Sequence, residues 1–474
     1  MKKIVFVFMF VFALLLVFND LKAQHGSFGA IDAKSNGMGA CANASAFALS
    51  AIGKNPALLN SKSDSVENLM LKLPDFSFQL LNNSLSMKEF THFFGNENAK
   101  YLSEKERNDL LGFFQENGKF YFSISAIPLA ISYTPSKELG TFAFSVSDIA
   151  AANIIIAKDL IDLSLIGNDS GRVYSFNDSG FKGWWLRSFN ISYARQIYEK
   201  ESGLLKSLSA GITLKFITGY EYSELEKLES RFHTGENSAI TGNLVANTVS
   251  SFSPDFGVEY DFDKKTKPSN FNLLYMEPAG IGYGIDLGFY SELENGLNLG
   301  LAITDIGAIN WSKETVRYDL NSNFFVDDIL DRKKRDSLIN STNAKGDYIS
   351  DFSKPLPSAL RFGASYELSQ RIEEIPGVLL LALDYNQGFN DLPGNSRIPR
   401  IGFGAFWHPD FDYPYILTGV SNAQTGRINF SLGAGYQYDF FQVNISTYDL
   451  ISLISKEYSS PNYSLGINLI WKIL

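Results

Sequence analysis

From Ile428 to Tyr438 the chain alternates in character residue by residue. Phe430, Leu432, Ala434, Tyr436 and Tyr438 occupy one parity, and Asn429, Ser431, Gly433, Gly435 and Gln437 the other. A period of two places the two sets on opposite faces of a β-strand, one suited to lipid and one to water. After a tight turn near Asp439 the pattern resumes, with Phe441, Val443 and Ile445 against Gln442, Asn444 and Ser446. It closes the chain with Tyr463, Leu465, Ile467, Leu469, Trp471 and Ile473 opposite Ser464, Gly466, Asn468 and Lys472, where Ile470 is the exception. A soluble sandwich also alternates. One of this length would need several domains, and no linkers are visible.

The N-terminus has the order of a secretory signal: Lys2 and Lys3, an apolar run from Ile4 to Phe18, then Leu21-Lys22-Ala23. Cleavage after Ala23 would leave Gln24 first. The run is shorter than the roughly 20 residues of a spanning helix, and no second long apolar run follows Phe18. A helical membrane protein is therefore excluded, although 45% of the residues are hydrophobic. The apolar residues must be dispersed along strands, and 39 Phe with 23 Tyr supply aromatic girdles for two membrane interfaces. A net charge of -10 leaves no basic face for nucleic acid. The single Cys41 rules out an intramolecular disulfide framework.

One stretch, Ser35 to Leu59, breaks the strand pattern. It is rich in Ala and Gly, interrupted by Gly37, Gly39 and Gly53, and closed by Asn55-Pro56-Ala57-Leu58. Taken alone it also reads as an Ala-rich helix ended by Asn-Pro. With Ser35, Gly37 and Gly39 before Asn55, Pro56 and Ala57, it resembles the N-terminal hatch of the FadL family of outer-membrane long-chain fatty acid transporters. It departs from that family where Ala42 to Leu49 replaces a common acidic pair. The resemblance implies three parts: a signal peptide (1–23), a hatch inside the lumen (24–65) and an outer-membrane β-barrel (66–474). It also implies a ligand path past the hatch residues; within them, the apolar Met38, Phe47, Leu49 and Ile52 are expected to line a local pocket.

Strand signals follow at Leu69–Leu80, Lys119–Tyr133, Thr141–Ile155, Trp184–Ile197, Leu208–Tyr220, Ile240–Val249, Phe256–Phe262, Ile281–Ser291 and Leu297–Ile309. Four more precede the last three strands: Leu360–Leu368, Val378–Tyr385, Ile398–Trp407 and Tyr415–Val420. That slightly exceeds what the resemblance implies, so Ile240–Val249 with Phe256–Phe262 is read as an outer hairpin. The expectation is an all-β transmembrane antiparallel barrel of about 14 strands, with 16 as the alternative. Counted back from a periplasmic C-terminus, the connections at Asp439, Pro409–Pro414, Ser369–Pro376, Glu292–Gly296 and Glu199–Leu205 fall inside and are short. Those at Asn83–Gly118, Ala157–Phe181, Asp263–Pro278 and Asn310–Pro357 fall outside and are long. Such sorting by parity is a property of membrane barrels.

In the outer connections, Met87–Phe94 and Ser103–Gln115 show helical spacing of apolar residues. In the FadL family such early loops form a greasy capture platform; packing over the barrel mouth is the alternative here. Gly280–Trp311 and Leu356–Glu367 resemble strands of uncharacterised FadL-like proteins of the Bacteroidota, with Asp305, Ile306, Gly307 and Trp311 matching a hairpin end. Asp305 follows Ile303 on an apolar face, which suggests a kink around Asp305 and Gly307 that turns the carboxylate inward. A place at the strand's wet end is the equal alternative. In the FadL family, wall kinks release ligand sideways.

No catalytic motif is found around His25, His92, His233 or His408, and no metal or cofactor motif occurs. The acidic pairs Asp261/Asp263 and Asp410/Asp412 read as solvated turns rather than Ca²⁺ sites. The leading expectation is a non-enzymatic outer-membrane barrel for passive uptake of hydrophobic or amphipathic molecules. Its expected partners are outer-membrane lipid, a hydrophobic ligand and the barrel assembly machinery. The alternative is a barrel that binds protein partners, like the type IX secretion shuttle, with secretion-system proteins as its partners.

Overall fold

The structure, a computed structural model, describes residues 32–61, 68–95, 102–235, 239–258, 272–273, 275–294, 296–327, 333, 345–410, 412–422, 428–438, 440–457 and 461–473. The signal segment, His25, Asp261, Asp263 and the turn at Asp439 lie outside the described residues.

The strands in chain order are β1 (Asn68–Asn82), β2 (Gly118–Ser136), β3 (Gly140–Ile156), β4 (Val173–Tyr174), β5 (Gly180–Glu199), β6 (Leu205–Thr234) and β7 (Ile240–Phe252). Then come β8 (Gly280–Leu293), β9 (Leu297–Trp311), β10 (Thr315–Val326), β11 (Lys345–Tyr348), β12 (Phe352–Pro355) and β13 (Ala359–Glu367). The remaining six are β14 (Val378–Gly388), β15 (Arg400–His408), β16 (Tyr415–Asn422), β17 (Ile428–Tyr438), β18 (Phe441–Thr447) and β19 (Asn462–Lys472).

Fourteen of them form a closed antiparallel wall. The order is β1, β2, β3, β5, β6, β8, β9 and then β13 through β19. The ring closes where β19 pairs with β1, for example Leu80 opposite Tyr463. Closure leaves no free edge in the wall. Each of the fourteen lies on a segment whose alternation marks a strand in the sequence.

The other five strands extend one rim. β6 pairs with β8 up to Gly219 and then runs on beyond it, where its second half pairs with β7. β7 in turn pairs with β10, and β10 with β11. Ile240–Val249 is therefore extension rather than wall. In Phe256–Phe262 the described residues hold no strand: Pro254–Phe256 forms a 3-10 turn. The connection Asn310–Pro357 is not a plain loop, because β10, β11 and β12 lie within it.

The connections sort by rim as their lengths predict: 137–139, 200–204, 294–296 and 409–414 at one end, 83–117, 157–179 and 312–358 at the other. Helices Met87–Phe94 and Glu104–Phe113 stand at the long-connection rim. Each starts with a capping box, Ser86 with Glu89 and Ser103 with Glu106. Two further helices there, Lys158–Leu165 and Leu450–Ile454, are not marked in the sequence reading.

The wall is apolar outward and polar inward. On β17, Phe430, Leu432 and Ala434 are exposed while Asn429, Ser431, Gly433 and Gly435 are buried. Phe144, Ile191, Leu214, Phe289 and Ile445 continue the exposed band around the barrel, as lipid rather than water demands. Ile470, the exception on the inner face of β19, is buried in an apolar cluster with Ala46, Leu49 and Ile52.

Candidate functional site

What fills the wall is the segment from Asp32 to Ser61. It contacts β1, β2, β3, β5, β6 and β8 on one side and β16 to β19 on the other, so it lies inside the barrel. The Asp32 side chain caps helix Ala33–Gly37 by accepting from the Lys34 and Ser35 amides. Short turns follow, because Gly39 (φ +65°) and Gly53 (φ +73°) take left-handed conformations. Asn55 caps the last turn, Pro56–Asn60: its Oδ1 accepts from Ala57 N, while its Nδ2 donates to Asn43 O and to Phe289 O of β8.

Complementarity with the wall comes from absent side chains. A Cβ on Gly300 would stand 1.8 Å from Asn43 O, and one on Gly288 2.1 Å from Asn55 Oδ1. Gly211, Gly402, Gly404 and Gly419 are in similar contact with Pro56, Ala57, Met38 and Gly39. Wall glycines therefore let the inner backbone lie directly on the strand backbone.

Ser35, Gly37, Met38, Gly39, Leu49, Ile52, Asn55, Pro56 and Ala57 are all buried or nearly so within this packing. Met38 joins Cys41, Tyr415 and Leu417 against the wall, and Gly37 abuts Leu417. Phe47 is half-buried, with the Lys34 ammonium 5.6 Å from its ring centre.

Charges inside the barrel are paired. Lys54 bonds Asp32 and donates to Ser35 Oγ; Lys72 bonds Asp75 at 2.5 Å on β1. Asp384 Oδ2 accepts from Ala42 N at 2.7 Å and from Asn43 N at 3.0 Å, so β14 holds the inner segment by two charge-assisted bonds. Arg361 Nη1 and Asn43 Nδ2 both donate to Asn386 Oδ1.

A cavity of ≈ 100 Å³ lies over the inner segment. Ile52 and Gly53 form part of its lining from below. Trp184, Leu186, Ile217, Ile149 and Leu356 give it an apolar side, and Ser188, Asn190, Ser192 and Thr213 a polar one. Of the four residues expected to line a pocket, Ile52 does so; Met38 and Leu49 pack against the wall, and Phe47 stands beside Lys34.

The charged lining residues are Lys215, Asp286 and Asp305. Lys215 Nζ lies 2.8 Å from Asp286 Oδ1 and 2.6 Å from Asp305 Oδ1. Asp305 sits in a β-bulge between β8 and β9 at φ +58°, with its amide donating to Asp286 Oδ1. The bulge turns the carboxylate into the lumen. Gly307 follows it, where a Cβ would stand 2.0 Å from Tyr283 O. Here β9 changes partner, from β13 up to Thr304 to β12 from Ala308.

Beyond the end of β8, Glu224 meets Lys182 Nζ at 2.6 Å and Lys354 Nζ at 2.7 Å. Burial alone would raise its pKa, yet hydrogen bonds from Lys182, Lys354 and Tyr222 hold it at about 2. The extension is thus pinned to β12 by a group that stays ionised.

A closed 14-stranded antiparallel barrel, apolar outside and filled by its own N-terminal segment, defines a transmembrane barrel. Residues 64–445 match the profile of DUF5723, a family of unknown function, and the chain belongs to that family. Among solved structures it is similar to the toluene transporter TbuX of Ralstonia pickettii, at 14% identity and a TM-score of 0.44, over 94% of this chain and 98% of that one. The toluene transporter TodX of Pseudomonas putida is similar at 10% identity and 0.44, over 95% and 98%. A FadL homologue of Pseudomonas aeruginosa is similar at 12% identity and 0.43, over 94% and 99%. Comparison with curated proteins returns no match.

Proposed function

We propose that this chain is an outer-membrane barrel through which small hydrophobic or amphipathic molecules pass passively, with Ser35–Leu59 acting as a hatch. The long-connection rim faces outward and the short one the periplasm. The observation that carries the reading is the half-apolar cavity resting on Ile52 and Gly53. A solute enters from the outer rim, settles against Trp184 and Ile217, and leaves when the glycine-cradled hatch shifts. No energy source is required, because partition into the apolar side drives entry.

The cavity's charge narrows the substrate. One ammonium against two carboxylates leaves a local charge of minus one. A fatty acid carboxylate 4 Å away would meet a repulsion of about 4 kcal/mol at an effective dielectric constant of 20. Neutral solutes suit it better, and ≈ 100 Å³, set against the roughly 150 Å³ of an apolar cavity that holds benzene, makes one ring the upper size it takes without the hatch moving. The variant Asp305→Asn brings the local charge to zero. Uptake of a fatty acid anion relative to a neutral ring should then rise by up to about a thousandfold, the equivalent of the roughly 4 kcal/mol removed; an unchanged ratio shows that the charge does not select the solute.

Mass spectrometry of organic extracts from the purified barrel tests the reading itself. A hydrophobic compound should accompany the intact chain and be lost from Ser188→Trp, whose indole fills the cavity. Extracts holding only bulk lipid, with proteins co-purifying instead, would favour a partner-binding barrel, for which the β7–β10–β11 extension supplies the surface.

A further inference from the structure

Helix Met87–Phe94 turns its apolar face away from the protein. Met87, Phe90 and Phe94, at helical spacing i, i+3 and i+7, are 40%, 53% and 56% exposed, and no residue of the helix is buried. Phe93, on its flank, is the residue that packs inward, against the cluster of Leu85, Leu110 and Phe114. The short helix Leu450–Ile454 adds Leu453 and Ile454, 52% and 72% exposed. The two helices are tied together, because Lys88 N donates to Lys456 O and Lys88 Nζ bonds Glu457 Oε1 at 2.7 Å. Exposed apolar side chains grouped in this way mark a surface that is covered in use.

The position of the patch indicates what covers it. Tyr463 lies beside the Met87 backbone, and Tyr463 is paired across the barrel seam with Leu80. Leu80, Phe76, Leu465 and Ile467 belong to the outward band that meets lipid. Met87, Phe90 and Phe94 therefore continue that band upward at the seam of β1 and β19, while Glu89 and His92 occupy the opposite side of the helix. An amphipathic helix at such a level lies in the membrane interface with its apolar face among acyl chains.

We propose that helices Met87–Phe94 and Leu450–Ile454 form a lipid-binding collar. It beds into the acyl chains of the outer leaflet and fixes the depth of the long-connection rim. The inference rests on the membrane-barrel reading but not on solute passage, so the two fail separately.

A bimane label at Phe90→Cys tests it, with Phe94→Cys as an independent second position and Lys200→Cys at the opposite rim as control. Cys41 is buried and does not compete for the label. The labelled proteins are reconstituted into phosphatidylcholine vesicles with or without bromine at mid-chain. Brominated lipid should quench the labels at 90 and 94 but not at 200, and aqueous iodide should do the reverse. Labels at 90 and 94 that iodide quenches and brominated lipid does not would overturn the collar. Labels that respond only to added toluene would overturn it as well, because the patch would then be a capture site for solute.

Discussion

Deleting Ser35–Leu59 is expected to turn a closed barrel into a pore that conducts ions in discrete, long-lived steps in planar bilayers. The intact chain should show no such steps. The inner segment spans the lumen from β17, β18 and β19 to β5, β6 and β8, and apart from apolar contacts such as Ile470, Tyr290 and Leu417 the wall facing it carries Ser, Asn, Gly, Thr and paired charges. Emptied, that lumen is polar and wide, near the size at which barrels of 16 to 18 strands hold a water channel. A single substitution should reproduce part of the effect. Gly300→Val places a branched side chain where even a Cβ would stand 1.8 Å from Asn43 O, and the obstructing atom is backbone. Either the segment is displaced or β9 must bend. Intermittent conductance from Gly300→Val, with a folded barrel, is the expected result; silence in both variants would mean that another part of the chain closes the lumen.

The second large effect concerns Asp384. Its carboxylate accepts the amides of Ala42 and Asn43 at 2.7 and 3.0 Å and is almost fully buried. Asp384→Ala removes the one oxygen to which both amides donate and takes a nearby negative charge away from Arg361 and Arg400. Breaking a buried charged contact from one side costs about 3–5 kcal/mol. The cost should fall on the inner segment, since β14 retains its ladders to β13 and β15. Hydrogen exchange at the Ala42 and Asn43 amides should accelerate by about 100- to 4000-fold, following 1.4 kcal/mol per factor of ten. Exchange along β14 should stay unchanged. Equal acceleration in both places would show that Asp384 supports the barrel rather than the segment within it.

The wall was readable because its signal is local. Alternation in Ile428–Tyr438 or Leu208–Tyr220 reports which face meets lipid without reference to a partner. Partner choice is not local, so alternation alone does not separate extension from wall. Val316, Tyr318, Leu320, Phe324 and Val326 alternate with Arg317, Asp319, Asn321 and Asn323, broken at Ser322 and Phe325. Nothing in those letters tells a strand that β10 pairs with β7 outside the wall.

Inside the barrel, Gly39, Gly53 and Asn55-Pro56 announced a turn-rich segment, but the glycines that receive it, Gly211, Gly288, Gly300 and Gly404, look like weak strand residues until the two backbones are seen in contact. Apolarity alone points to Met38 and Leu49 as pocket residues, but it does not distinguish facing a cavity from facing the wall. Lys215 and Asp286 carry a sign in the sequence that pattern reading passes over. Each sits at the inward parity of a strand whose neighbours, Leu214 and Phe216 or Ile285 and Leu287, face lipid, so both charges had to enter the lumen together.

Passage of small neutral hydrophobic molecules through the cavity over the inner segment is read out by initial uptake rates of labelled toluene. Cells whose lipopolysaccharide leaflet slows passive entry would carry either the intact chain or Ser188→Trp, at matched levels of folded barrel. The intact chain should raise uptake well above cells lacking it, and Ser188→Trp should return it to that background. Equal uptake with and without the intact chain, or full uptake through Ser188→Trp, would contradict the account.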